Sequence, residues 1–80
     1  ETLQNLWSLD LSYTRVSDKG VARFPSSLRE VVLIGAPVTD AAFDEFERLK
    51  SLEYLNLSET QVSEEAALDF QRRMHVTVSW

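Results

Sequence analysis

An α/β fold is predicted: a right-handed solenoid with a parallel sheet along its concave side and helices along its convex side. Three observations carry it. One line of sequence is written three times: Leu6-x-x-Leu9-x-Leu11-x-x-Thr14-x-Val16-Ser17-Asp18 returns 22 residues on, from Leu28 to Asp40, and again 24 residues on, from Leu52 to Glu64. The first half of each line alternates apolar and other residues, which is the period of a strand. The second half ends on Ser or Thr, then an acid, then an amphipathic stretch, which is a helix start.

The strands are expected near 8–11, 30–33, 54–57 and 75–78. Leu9/Leu11, Val31/Leu33, Leu55/Leu57 and Val76/Val78 are the residues on the core side. Helical segments separate them, with no room for a hairpin return. Successive strands therefore pair in parallel, through right-handed crossovers.

The helices are expected near 18–24, 40–50 and 64–73. Ser17, Thr39 and Ser63 are candidate N-caps, whose hydroxyls accept a bond from an unpaired amide of the first turn. Asp18, Asp40 and Glu64 follow, where the positive end of the macrodipole favours an anion. Four residues after Val16, Val38 and Val62 stand the small residues Gly20, Ala42 and Ala66; four further on stand Phe24, Phe46 and Phe70. Positions four apart share a helix face, so the three rings are expected to stack as a ladder over Leu9, Leu33, Leu57 and Val78. Leu49 and Met74 extend that face, and Pro25 cuts the first helix short. Asp44–Arg48 and Asp69–Arg73 have the spacing of i,i+4 ion pairs.

Eighty residues make one domain, spanning 1–80, and a small one. The net charge of −5 is the wrong sign for a nucleic-acid footprint. No uncharged apolar run reaches the roughly 18 residues of a membrane span, so no membrane insertion is expected. Residues 1–20 carry charges throughout and do not read as a signal peptide. With no cysteine there is neither a disulfide framework nor a thiolate metal site, and the compartment stays open. Leu3 precedes Leu6 as Leu49 precedes Leu52, like the tail of an earlier helix, and residues 1–5 are too short for a polar cap. The expectation is a C-terminal fragment of a longer array, with further repeats N-terminal to residue 1.

The pattern L-x-x-L-x-L-x-x-T-x-V/I-S/T-D-x-G/A resembles the leucine-rich repeats of about 23–24 residues common in planctomycete proteins. It is also similar to the repeats of GALA-type bacterial effectors and of ribonuclease-inhibitor-like solenoids. The resemblance covers roughly residues 3–80. It implies the solenoid fold and binding of a protein through the concave sheet; it does not name the partner. One departure stands out. Ala36-Pro37 interrupts the Thr14/Thr60 row, whose hydroxyls would bond loop backbone, so the middle turn is expected to be irregular.

Strand residues that do not face the core form outward lanes. One is expected to hold Ser8, Glu30, Tyr54 and His75; the next Asp10, Val32, Asn56 and Thr77; the third Ser12, Ile34, Ser58 and Ser79. Tyr13, Gly35, Glu59 and Trp80 lie on the loop side. Val32 and Ile34 are apolar at outward positions, near Tyr13, Tyr54 and Trp80. Asp10, Glu30, Asn56 and Glu59 surround them. This is the make-up of an interface with an apolar centre and a polar rim. The plainer account is that single apolar surface residues are ordinary and that β-branched residues suit strands.

Chemistry has thin support. His75 is the lone histidine, and such a residue is far more often a surface group than a base. Asp10 and Glu30 have the separation that inverting glycosidases use, without a cleft or sugar platform around them. Gly20 and Gly35 do not make a phosphate loop, and no metal-ligand spacing of Cys and His is present. The expected function is non-catalytic binding of a protein or peptide without a cofactor. The alternative is a structural end segment of an array whose binding function lies upstream.

Overall fold

The computed structural model describes residues 7–80; Leu3 and Leu6 lie outside the described residues. Its elements are β1 (Ser8–Asp10), α1 (Asp18–Val21), β2 (Glu30–Val32), α2 (Ala42–Phe46), β3 (Tyr54–Asn56), α3 (Glu64–Met74) and β4 (Thr77–Ser79). The strands form one parallel sheet in chain order, β1-β2-β3-β4. Leu9, Val31, Leu55 and Val78 are register partners, and the last three are buried. Alternation of side chains along a strand then turns their neighbours to the other face. The strands are a residue shorter than predicted, but backbone bonding runs on past their ends. Leu11 N–H donates to the Val32 carbonyl at 2.9 Å, Leu33 N–H to Asn56 at 2.9 Å, and Leu57 N–H to Ser79 at 2.7 Å.

The core lies between the sheet and the helices. Phe46, Phe70, Leu28, Leu33, Leu49, Leu55 and Leu57 are its largest fully buried side chains. The predicted Phe24 ladder is only partly formed. Rings contact one another at Phe43–Phe46 (5.9 Å), Phe43–Phe70 (5.0 Å) and Phe46–Phe70 (6.4 Å). Phe24 is buried but joins none of these pairs. The reason is local: α1 ends at Val21, so Phe24 falls in the turn before Pro25 and is not carried on a helix face. Phe43 stands in the middle unit where Val21 and Ala67 stand in the others, and it supplies the third ring.

The Ser/Thr-Asp dipeptides do more than start helices. Asp18 accepts two bonds from Thr39, at 2.8 Å from its N–H and 2.6 Å from its hydroxyl. Asp40 does the same with Ser63, at 2.7 and 2.8 Å. Each carboxylate thus reaches sideways to the next unit, rather than serving only its own macrodipole. Of the three expected caps, Ser63 accepts from Ala66 N–H at 3.1 Å, and the Thr39 hydroxyl accepts from Ala41 N–H at 3.3 Å, just ahead of α2. Ser17 makes no side-chain cap bond, and α2 starts late, with Ala41 at its N-cap.

Arg48 is a second cross-link. It does not pair with Asp44; it lies 3.6 Å from Glu45 and donates to the carbonyls of Val21, Ala22 and Phe24 at 2.8–3.2 Å. These carbonyls belong to the end of α1 and the turn after it, and that of Val21 also accepts from Phe24 N–H at 3.0 Å. Arg73 forms the expected pair with Asp69 and also reaches Glu47, both at 2.8 Å.

The turns show what the threonine row does. Thr14 and Thr60 donate to the carbonyls of Leu11 and Leu57, each at 2.6 Å. Ala36 has no hydroxyl, and there Val38 N–H bonds the Ala36 carbonyl at 2.9 Å instead. The middle turn is rewired at the predicted position.

The fourth strand is displaced from 75–78. α3 runs for eleven residues to Met74, and His75 ends it at φ 57° in the left-handed region. That residue is spent on turning the chain, so pairing begins at Thr77. The Gln71 side chain accepts from Val78 N–H at 2.9 Å, which occupies an edge donor that would otherwise template another strand.

Candidate binding face

The register defines two rows on the face of the sheet turned away from the core: Ser8–Glu30–Tyr54–Thr77 and Asp10–Val32–Asn56–Ser79. In the last strand these rows lie two residues beyond the sequence expectation. His75 leaves the Tyr54 row for the end of α3, Thr77 takes its place, and Ser79 rather than Thr77 pairs with Asn56. Trp80 is corrected more severely. It comes one step after Ser79, in line with Leu57, on the core-side parity of the strand and at its end. It is 43% exposed and falls outside the Tyr13–Gly35–Glu59 turn position expected for it.

Along the first row, the Ser8 hydroxyl donates to Glu30 at 2.9 Å. Asn56 Nδ2 donates to the Tyr54 hydroxyl at 3.1 Å, and the Tyr54 and Ser79 hydroxyls lie 3.5 Å apart. In the second row, Asp10 and Asn56 each fold back on the chain. Asp10 accepts from Ser12 N–H at 3.0 Å, and Asn56 from Ser58 N–H at 3.1 Å and its hydroxyl at 2.8 Å. The Ser12 N–H, followed by its hydroxyl, holds the Asp10 carboxyl below its ordinary value of 3.8.

Val32 occupies the same position in the middle strand and cannot make that turn. Ser12 from the neighbouring unit compensates: its hydroxyl oxygen accepts from Ile34 N–H at 3.2 Å. The middle of the face is therefore apolar, with Val32 and Ile34 both half-buried, and its backbone donor is still satisfied.

Beyond the strands, Tyr13, Gly35 and Glu59 share one turn position, all in the left-handed region, at φ 59°, 74° and 60°. The Tyr13 ring lies across Gly35. A Cβ on Gly35 would stand 2.7 Å from two of the ring's carbons, Cδ1 and Cε1. The ring continues toward the third unit, and its hydroxyl donates to Glu59 at 3.4 Å. Tyr13 thus spans the middle unit, the Cδ1–Cε1 side of its ring against Gly35, and remains 71% exposed. Sequence reasoning included Tyr13 and Glu59 but not the part Gly35 plays; the signal was a glycine between a Tyr and a Glu at one repeat position.

The outer face brings together Asp10, Tyr13, Glu30, Val32, Ile34, Tyr54, Asn56 and Glu59. Its charged members are all acidic. Trp7, 59% exposed, was not singled out from sequence; it stands just before β1, and its carbonyl accepts from the N–H groups of Arg29 and Glu30 at 2.7 and 2.9 Å.

Two surface depressions lie elsewhere. One, of about 540 Å³, is lined by Asp40, Ser63, Glu65, Asp69 and Arg72, and the other, of about 480 Å³, by Phe24, Pro25 and Arg48. Asp40 and Arg48 are engaged in the cross-links described above. Among the described residues, no three His, Cys, Asp or Glu side chains converge as metal ligands, and no helix is long and apolar enough to cross a membrane. No family model, no curated protein and no solved structure matches the chain.

Proposed function

We propose that the chain is a leucine-rich-repeat solenoid module that binds a protein or peptide, without catalysis, on the outer and concave face of its sheet. The observation that carries this reading is the Val32–Ile34 centre. Both residues point away from the core, and neither is required there by the turn, because Ser12 supplies the acceptor that Asp10 and Asn56 supply in the adjacent strands. An apolar centre with acidic and amide groups around it is the composition of an interface.

The test places a photoactivatable side chain at position 34 or, as a control on the helical side, at position 72, in the protein expressed in its own cells. A discrete adduct at position 34 alone supports the reading, and the captured partner is then titrated. Ile34→Asp is expected to weaken binding by about 2 kcal/mol or more, the hot-spot threshold, while Arg72→Ala leaves it unchanged. Adducts at 72 with none at 34 reject it.

A second reading, a structural segment of a longer array, has its own support. Much of the outward polar chemistry is turned on itself, in the Ser8–Glu30 and Asn56–Tyr54–Ser79 contacts, and the Asp18–Thr39 and Asp40–Ser63 pairs join unit to unit. On that reading Ile34→Asp leaves partner binding intact.

A further inference from the structure

We infer that Tyr13 and Glu59 form a cradle for an arginine side chain of the partner, an inference that rests on the outer face being the binding surface. Three observations meet at this point. The Tyr13 ring rests with its Cδ1–Cε1 side against Gly35, which has no Cβ to displace it, and the residue stays 71% exposed, so ring surface is open to a ligand. The Glu59 carboxylate stands at the ring's hydroxyl edge, 3.4 Å from it. The outward lanes carry Asp10, Glu30 and Glu59 but neither lysine nor arginine, so their field is of one sign.

An aromatic face attracts a cation through its quadrupole, and arginine stacks on it best because its guanidinium is planar. The same guanidinium presents a fork of donors to a carboxylate beside the ring. A partner arginine therefore lies on Tyr13 with its N–H groups toward Glu59, while the residues beside it reach Ile34 and Val32. The long Tyr13–Glu59 bond is weak at that distance and yields its acceptor to the incoming cation. Gly35 acts as a positioning residue, because a Cβ there would displace the ring.

The experiment uses the whole chain and a blocked pentapeptide, acetyl-Gly-Ile-Arg-Ile-Gly-amide, against the same peptide with neutral citrulline for arginine. Amide shifts are followed by NMR. The arginine peptide is expected to shift Tyr13, Gly35 and Glu59 saturably, with the citrulline peptide about fivefold weaker, as loss of a cation–π contact implies. Tyr13→Ala and Glu59→Gln should each weaken the arginine peptide about fivefold. Tyr13→Phe, which keeps the ring, should bind as the parent does, and so should Asp44→Asn on the helical side.

Equal binding of both peptides on the outer face overturns the arginine cradle while leaving the face as a binding surface. Shifts confined to the helical acids, or none at all, overturn the cradle, and the crosslinking at position 34 then decides separately whether the face binds anything.

Discussion

Gly35→Ala isolates one contact that links the fold to the candidate site. The native φ of 74° costs a residue with a Cβ about 1–2 kcal/mol, and the stiffer unfolded chain returns about 0.4–1 kcal/mol. Tyr13 and Glu59 already hold left-handed angles at the equivalent turn position, so the conformation is tolerated there. The rest of the cost is steric. The new Cβ would sit 2.7 Å from Tyr13 Cδ1 and Cε1, well inside the roughly 3.5–4.0 Å of optimal carbon contact. The ring is exposed and must swing away, losing its seat and its reach to Glu59. Together these give about 1–2 kcal/mol of destabilisation, roughly half of it owed to the ring. Urea unfolding of the parent, Gly35→Ala, Tyr13→Ala and the double variant separates the two parts, because neighbouring sites are not additive. The glycine change should cost less in the Tyr13→Ala background, by about 0.5–1 kcal/mol. An equal cost in both backgrounds would mean that the ring does not rest on Gly35.

Phe46→Ala removes a fully buried ring that touches two others and should cost about 3–5 kcal/mol in the same assay; a parent-like melt would refute that packing. Asp40→Ala should cost about 1–2 kcal/mol and speed hydrogen exchange at the Ser63 amide, whereas Glu64→Ala, at the matching place in the third line, should stay within about 0.5 kcal/mol. Asp10 is held below its ordinary 3.8 by Ser12, so its folded value lies under the unfolded one. Its contribution is complete above about 3.8 and is lost as pH falls through the folded value. An NMR titration should show the Ser12 amide following that step, and Asp10→Asn should abolish it.

Much of the architecture was legible in the chain because it is periodic. Leucines at fixed offsets dictate strands that pair in chain order, and the threonine row announced where Ala36 would rewire a turn. The candidate site was legible in part: the outward placing of Asp10, Glu30, Val32, Ile34 and Tyr54 follows from alternation alone. What failed were inferences that required knowing where an element ends. α3 runs to Met74 and His75 is used to terminate it, so the last strand begins two residues late, moving Thr77 and Ser79 into new rows and Trp80 into line with Leu57. Likewise α1 stops before Phe24, and Phe43 completes the ring cluster.

Sequence by itself determined the strand–helix order, the direction of pairing and the side of each strand residue, because these depend on local period and chain length. Only the tertiary structure decided how the units are joined. Asp18 and Asp40 look like helix-start acids in sequence; in space their carboxylates have a donor pair in the next unit within 2.6–2.8 Å. Arg48 likewise passes over Asp44, its expected partner, to reach three backbone carbonyls of the preceding unit. A side chain bonds whatever complementary group lies within its reach, and that reach extends to residues 21 to 27 positions away along the chain, which only the folded backbone brings within range.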